Sequence, residues 1–252
     1  MPQCHFDPAV MRCEGNSDGD TCLTAPQVEN LKRLYAGAPV YYGWPVGSEF
    51  GYLGGWEYAI QGAGPVSPGI FPRMGLQGPV MGTHGFDWNR APARVRAAIG
   101  AVVDAVDPDL RPFQAHGGKQ ILYHDWADPI GNAFDTIHYY EAVEHTVPDT
   151  PSFARLFLFP GMGHRRGGIG PNSFDAIGAL DAWAEHGQPP AALTALKSPS
   201  TDEVGGLAIG SPQAKPGRTR PACPYPAVAH YKGTCSIDDA DNFECTTKTP
   251  HD

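Results

Sequence analysis

The second half of the chain alternates strand-like with helix-like segments, and this alternation restricts the fold more than any other feature. Apolar, strand-like runs occupy residues 119–124 and 155–159, and helical patterns follow over residues 133–146 and 173–187. Strands that alternate with helices are typical of βαβ units, in which the strands are parallel. The sequence therefore predicts an α/β fold that contains a parallel sheet.

An acidic and a basic side chain follow the two predicted strands. The first strand leads into Asp125-Trp126-Ala127-Asp128-Pro129 and the second into Pro160-Gly161-Met162-Gly163-His164. Open α/β sheets place their ligands at the C-terminal ends of such strands. Asp128 and His164 have the residue types and the order of the last two members of an α/β-hydrolase triad, an orienting carboxylate and then a histidine base. The alternative is that Asp128 only starts a turn and that His164 is an ordinary loop histidine.

Composition and charge exclude several classes of partner. The 252 residues carry a formal charge of −9 with no long run of Lys or Arg, so we expect no nucleic-acid partner. No apolar stretch approaches the roughly 20 residues that span a bilayer, so we expect no membrane partner. The start of the chain lacks the basic and apolar regions of a signal peptide, and we expect that any export signal has been removed or was never present.

The six cysteines lie at the two ends of the chain, and their spacing fits no zinc site; they are Cys4, Cys13, Cys22, Cys223, Cys235 and Cys245. Disulfides are favoured over free thiols, which indicates an oxidising compartment. We therefore expect a secreted or periplasmic protein.

The first hundred residues are irregular apart from two helices. Thr24-Ala25-Pro26-Gln27 resembles a capping box that opens a helix ending before Gly37, and residues 91–106 return to helical spacing. Between them, residues 38–89 are rich in Gly, Pro and aromatic side chains, which is typical of a lid or binding segment. Trp44 and Trp56 are candidate substrate contacts, and the alternative is that they fill a core.

Several motifs in one order resemble the tannase and feruloyl esterase family, whose members cleave aromatic carboxylic esters such as mono(2-hydroxyethyl) terephthalate. The resemblance covers nearly the whole chain. The matching segments are Phe6-Asp7-Pro8, Cys22-Leu23-Thr24, Asp107-Pro108-Asp109-Leu110, Trp126-Ala127-Asp128-Pro129, Pro160-Gly161-Met162-Gly163-His164, Ala182-Trp183, Arg220-Pro221-Ala222-Cys223-Pro224-Tyr225-Pro226, Tyr231-Lys232-Gly233 and Asn242-Phe243-Glu244-Cys245.

The resemblance implies a partial α/β-hydrolase fold with a loop-rich lid segment. Residues 1–105 would be lid-like, and residues 106–252 would be the C-terminal part of the core with a disulfide-stapled tail. Asp128 would be the triad acid and His164 the base. The implied disulfides are Cys13–Cys22 and Cys223–Cys245, and Cys4 would belong to a lid bridge whose partner lies before residue 1.

The chain departs from the family pattern in several respects. The family's nucleophilic serine in a Cys-Ser-x-Gly-Gly elbow, its oxyanion hole and its calcium loop would lie upstream and are absent here, so we expect no cofactor. Arg165 stands where family members commonly have a cysteine after the catalytic histidine. Cys235 stands where glycine is expected, and it could pair with Cys4, with another chain or with nothing.

Ser17 is the only formal substitute for the nucleophile, in Gly15-Asn16-Ser17-Asp18-Gly19. A nucleophile elbow needs an apolar strand before it and a helix directly after it. Polar residues flank Ser17 on both sides, so a loop residue is the favoured interpretation, and Ser48 is a weaker candidate still. Asp18 and Asp20 lack the spacing of a calcium loop, and we expect no metal there.

Two hypotheses about function remain open at this point. The first is a serine esterase acting on a small aromatic ester, whose nucleophile comes from an upstream segment, a second chain or Ser17. The second is a catalytically incomplete fragment that at most binds aromatic acids. Under either hypothesis, an unpaired edge of the partial sheet would invite self-association.

Overall fold

The described residues of the computed structural model fall into two compact units. They are residues 6–15, 17–38, 41–49, 55–56, 90–164, 167–198 and 217–247. The larger unit is formed by described residues within 45–57 and 108–252, and the smaller by those within 2–44 and 58–107. The predicted division into residues 1–105 and 106–252 stays a prediction.

The smaller unit contains two helices, α1 (Ala25–Ala36) and α2 (Ala91–Val103), and the two-residue strands β1 (Gly37–Ala38) and β2 (Tyr41–Tyr42). Helix α1 begins at the predicted capping box, where the Thr24 N–H donates to Gln27 Oε1 at 2.7 Å. Helix α2 ends at Val103, three residues before the predicted end. The reason is that Asp104 takes an extended conformation and its N–H closes the helix on the carbonyl of Gly100.

The larger unit is built on one parallel pair of strands, β3 (Gln120–Asp125) and β4 (Ala154–Phe159), joined by helix α4 (Ala133–Thr146). The pair is in continuous register from Gln120 opposite Ala154 to Asp125 opposite Phe159. The predicted parallel βαβ arrangement is therefore confirmed. The other elements of this unit are α3 (Arg111–Ala115), α5 (Ala176–His186), β5 (Leu193–Leu196), β6 (Thr219–Ala222), β7 (Val228–Tyr231) and β8 (Phe243–Thr246).

Strand β4 is covered on both faces, as strands of parallel sheets usually are. Leu156 lies in a cluster formed mainly by α4 and its flanking residues, including Tyr140 and Val143. Phe157 points to the opposite face and packs with residues of β5 and β6, such as Leu193. Successive side chains of a strand alternate between faces, so one short strand is shared by two hydrophobic clusters.

Two predictions about the C-terminal part are wrong. The helix predicted over residues 173–187 begins only at Ala176, because Ser173 pairs with Leu196 of β5 and the Asp175 side chain caps the helix through the Gly178 N–H at 2.7 Å. The sequence also predicts a surface loop over residues 198–222, but residues 219–222 form strand β6, which is antiparallel to β5. Neither strand has a long apolar pattern that could be recognised in the sequence. Both are defined by their pairing with each other and by their packing on β4.

The structure contains the Cys13–Cys22 and Cys223–Cys245 disulfides. The second disulfide joins the segment after β6 to β8, and the neighbouring Tyr225 N–H donates to the Leu156 carbonyl of β4 at 2.8 Å. Cys235 is exposed and unpaired among the described residues, and its φ of 64° lies in the left-handed region that favours glycine. Cys4 lies outside the described residues.

Replacing Leu156 by alanine should remove packing from both α4 and β3. We expect a loss of about 2–5 kcal/mol in the free energy of unfolding, because the side chain is fully buried and its cavity can close only in part. Urea unfolding followed by circular dichroism measures this loss. Ile177→Ala on α5 is the matched control, since Ile177 is 78% exposed, and a change of more than about 0.5 kcal/mol there would contradict the assigned burial.

Candidate active site

The loops that follow β3 and β4 are joined by backbone hydrogen bonds. Beyond the last strand pair, the Trp126 N–H donates to the carbonyl of Phe159 at 3.1 Å, and the Ala127 N–H donates to the carbonyl of Met162 at 3.0 Å. The two loops therefore continue the parallel arrangement for several residues. This places Asp128 at the end of one loop and His164 at the end of the other.

Asp128 and His164 are joined by a direct hydrogen bond. His164 Nδ1 lies 2.8 Å from Asp128 Oδ2, and the other oxygen, Oδ1, accepts from the N–H groups of Ile130 at 2.7 Å and Gly131 at 3.0 Å. Asp128 is only 6% exposed, whereas the His164 side chain is 28% exposed. An ionised carboxylate can only accept, so Nδ1 of His164 carries the proton and Nε2 is the nitrogen that is able to take another.

The loop after His164 is held by buried polar side chains. Lys197 Nζ donates to the carbonyl of Gly168 at 2.6 Å, and Asn172 Nδ2 donates to that of Gly167 at 3.2 Å. The Lys197 residue is only 1% exposed. It continues the inward alternation of Leu193 and Ala195 beyond β5, which is the sequence signal that could have identified it.

A tight turn at Gly161 begins the loop that follows β4 and carries His164. The Gly170 N–H donates to the Gly161 carbonyl at 2.8 Å, and Gly161 has a φ of 73°. A β-carbon at Gly161 would lie 2.9 Å from the backbone nitrogen of Gly170. The backbone at Gly161, before His164, is therefore packed against that of Gly170, after His164, too closely for a side chain at position 161.

A second histidine, which the sequence reasoning missed, lies on the other side of Asp128. His124 Nε2 is 3.8 Å from Asp128 Oδ2, and His124 Nδ1 lies 2.8 Å from the hydroxyl oxygen of Thr136. Burial lowers the pKa of His124, and the nearby carboxylate of Asp128 only partly opposes this effect. The sequence signal for His124 was its position four residues before Asp128. A strand followed by a turn can bring two residues at this spacing together.

The structure places Ser17 in the disulfide loop between Cys13 and Cys22. Its side chain is exposed, and its hydroxyl donates to the carbonyl of Glu14 at 2.7 Å. Residues 6–15 contain a 3₁₀ helix and turns rather than a strand leading to Ser17, and α1 begins only at Ala25. The local backbone is therefore not a strand–turn–helix elbow.

The two candidate aromatic residues have different surroundings. Trp56 is buried, and its Nε1–H donates to the hydroxyl of Ser48 at 2.9 Å. Ser48 is itself buried and donates to the carbonyl of Pro45. Trp44 is partly buried, and its backbone N–H donates to the carbonyl of Leu34 at 3.0 Å. Trp44 belongs to the smaller unit and Trp56 to the larger.

Within the described ranges, no three His, Cys, Asp or Glu side chains come together in a group able to hold a metal ion. The helices described in the structure are also too short or too polar to cross a membrane.

Comparison with known proteins shows one family consistently. The family model of tannase and feruloyl esterase matches residues 84–246. A mono(2-hydroxyethyl) terephthalate hydrolase from Piscinibacter sakaiensis is 32% identical over 295 residues, which cover 96% of this chain and 46% of that protein. An uncharacterized esterase from Xanthomonas campestris pv. campestris is also 32% identical, and the match covers 96% of this chain and 49% of that protein.

A solved structure shares the fold. Feruloyl esterase B from Aspergillus oryzae superposes with a TM-score of 0.78 at 22% identity, over 97% of this chain and 51% of that one. The chain spans about half the length of the curated relatives that it matches.

Replacing Lys197 by methionine should loosen the loop that carries His164. The change leaves the partly buried Gly168 carbonyl without this donor, which costs about 1–3 kcal/mol of stability. Hydrogen exchange at the Gly170 N–H and urea unfolding measure the effect. Lys232→Met is the matched control, because Lys232 donates to the carbonyl of Asp241 at 2.9 Å on the exposed surface. Equal effects of the two substitutions would contradict a specific role of Lys197 in the loop.

Proposed function

Since the chain belongs to the tannase and feruloyl esterase family, we propose that it acts as a carboxylic ester hydrolase on esters of aromatic acids, through a Ser–His–Asp mechanism. The observation that carries this proposal is the 2.8 Å hydrogen bond between Asp128 and His164 at the ends of two parallel strands. In the proposed fold, β3 and β4 are late strands of an α/β-hydrolase sheet. The order of the acid and the base along the chain agrees with that fold.

In the proposed mechanism, His164 is the general base. Its Nε2 takes the proton of the nucleophile's hydroxyl as the hydroxyl oxygen attacks the ester carbonyl carbon. His164 then returns the proton to the departing alcohol, which leaves an acyl-enzyme. A water molecule, deprotonated by the same nitrogen, attacks the acyl group, and the carboxylic acid is released.

Asp128 would orient and stabilise the base during these steps. Its Oδ2 holds the Nδ1–H of His164, which fixes the ring orientation and leaves Nε2 free of its own proton in the resting state. When His164 becomes an imidazolium, the carboxylate stabilises the new charge. The two backbone N–H groups on Oδ1 fix the direction of the carboxylate that this role requires.

We propose that the nucleophile comes from a segment outside these 252 residues, on the same polypeptide or on a second chain. The loop geometry around Ser17 supports this choice over Ser17 itself. Among the described residues β3 pairs only with β4, so its other edge could receive a further strand or a second copy of the chain.

The proposed substrates are small esters of aromatic acids. Trp44 and Trp56, taken separately, are each a candidate for contact with the aromatic ring. The relatives, which include a mono(2-hydroxyethyl) terephthalate hydrolase and feruloyl esterases, support this substrate class. We propose no cofactor. The two disulfides support a secreted or periplasmic location.

Ester hydrolysis tests the proposal directly. The chain is assayed with p-nitrophenyl and feruloyl esters, alone and co-expressed with the part of the Piscinibacter sakaiensis hydrolase that it does not match. We expect turnover with the added part. Asp128→Asn should lower kcat by about 10⁴, because the wrong tautomer of the base is then favoured. His164→Gln should lower it at least as much.

Ser17→Ala and His145→Gln are the control variants. We expect Ser17→Ala to retain full turnover if the nucleophile lies elsewhere, and His145, an exposed histidine near the end of α4, should be replaceable without loss. Absence of turnover in both preparations, or turnover that survives His164→Gln, would rule out the esterase proposal. Binding of free aromatic acids without turnover would instead favour a non-catalytic binding protein.

A further inference from the structure

One oxygen of Asp128 lies between two imidazole rings. Oδ2 is 2.8 Å from His164 Nδ1 on one side and 3.8 Å from His124 Nε2 on the other. The first distance is a hydrogen bond, and the second is too long for one but short enough for a strong electrostatic interaction. The proposed triad acid therefore has a second histidine neighbour that the three-residue mechanism does not use.

The ring of His124 is held in place from its other nitrogen. Helix α4 provides the Thr136 hydroxyl, which lies 2.8 Å from His124 Nδ1. The side chain is only 18% exposed. Among the described residues Nε2 makes no hydrogen bond of good geometry, although the backbone of Gly131 lies close enough to interact with the ring. A buried polar nitrogen without a good hydrogen bond is costly, and such groups often have a functional reason. This nitrogen faces the carboxylate of Asp128.

The space between the two residues is closed by Gly131. A β-carbon at Gly131 would lie 3.4 Å from Asp128 Oδ2 and 3.4 Å from His124 Cε1, so the glycine backbone already fits against both side chains. Because the Gly131 N–H also donates to Asp128 Oδ1, the carboxylate is held by backbone on one oxygen and flanked by rings on the other.

Burial keeps the ring of His124 neutral near pH 7. Burial is the largest effect and lowers the pKa of His124, and His164 lowers it further. The carboxylates of Asp128 and Asp135 and the backbone of Gly131 act in the opposite direction without overcoming burial. In the neutral ring, the Thr136 hydroxyl can donate to Nδ1, and the proton then resides on Nε2, where it faces Oδ2.

We propose that His124 is a pH-dependent positioning residue for the acid of the proposed triad: while it is neutral it leaves Asp128 Oδ2 with His164, and a proton gained by His124 draws that oxygen away. The inference rests on the proposed function, because it assigns a role to a neighbour of the proposed acid. It adds that two histidines compete for one carboxylate oxygen. The competition depends on pH, since only the protonated His124 carries a full charge.

The direction of the pH effect follows from the lowered pKa of His124. Above the ordinary histidine range His124 is neutral, and the Asp128–His164 hydrogen bond is intact. As the pH falls through the lowered pKa, His124⁺ forms an ion pair with Asp128, and His164 loses its partner. A histidine Nδ1–H bonded to a carboxylate gives a proton NMR resonance far downfield, so this bond can be followed in the full chain without any substrate.

Three proteins distinguish positioning from simple space filling. In the wild type, we expect the downfield resonance of His164 to be present at neutral pH and to be lost as His124 titrates. In His124→Gln, whose amide N–H can replace Nε2–H but cannot titrate, the resonance should persist to lower pH. In His124→Leu, which carries no charge at any pH, it should likewise persist to lower pH. His145→Gln is the control and should behave as the wild type.

The proposal is overturned if the wild type and His124→Gln lose the resonance at the same pH, or if folded His124→Leu loses it at the same pH as the wild type. Should His124→Leu fail to fold, the comparison of wild type with His124→Gln still decides. These readouts need no ester turnover. A chain that shows the expected resonances but cleaves no ester would support the positioning role of His124 and contradict the proposed function. A chain that cleaves esters but whose His164 resonance does not respond to the His124 substitutions would support the proposed function and contradict the positioning role.

Discussion

The parallel pairing of β3 with β4 is the interaction on which the rest of the site depends. Its register sets Asp125 opposite Phe159, and the backbone hydrogen bonds from Trp126 and Ala127 carry the alignment into the loops. A shift of one residue would turn every side chain of β4 to the opposite face, moving Leu156 and Phe157 out of their clusters. The two hydrophobic clusters therefore fix the register, and the register brings an acid and a base from distant parts of the sequence within hydrogen-bond distance.

Buried polar groups then refine what the strands position. Asp128 uses one oxygen for two backbone N–H groups and the other for His164, so its direction is determined at both ends. Lys197 anchors the loop after His164 from a fully buried position. Such groups are tolerated inside the protein only when they are hydrogen-bonded, and in return they specify a single geometry. The nearly buried His124 adds an interaction that depends on its charge.

The sequence was sufficient for elements with a strong local pattern. Helix α4 matched its predicted bounds, and the strands before Asp128 and His164 were predicted within one residue, because apolar runs and capping residues mark them directly. Strands β5 and β6 were not predicted, since they are short and are defined by each other and by β4. The roles of His124 and Lys197 were missed for the same reason. The spacing of His124 from Asp128 and the alternation that ends at Lys197 were local signals, but neither identifies the partner atoms, which become neighbours only after the chain has folded.

The central claim is that Asp128 and His164 serve as the acid and base that activate a serine. Labelling by a fluorophosphonate probe, followed by peptide mass spectrometry, tests it most directly, since the probe reacts with a serine only when a base activates it. The measurement uses the chain co-expressed with the unmatched part of the Piscinibacter sakaiensis relative. If His164 is the base, we expect labelling of a serine outside the Cys13–Cys22 loop and loss of that labelling in His164→Gln. Labelling at an undiminished rate in His164→Gln would contradict this claim.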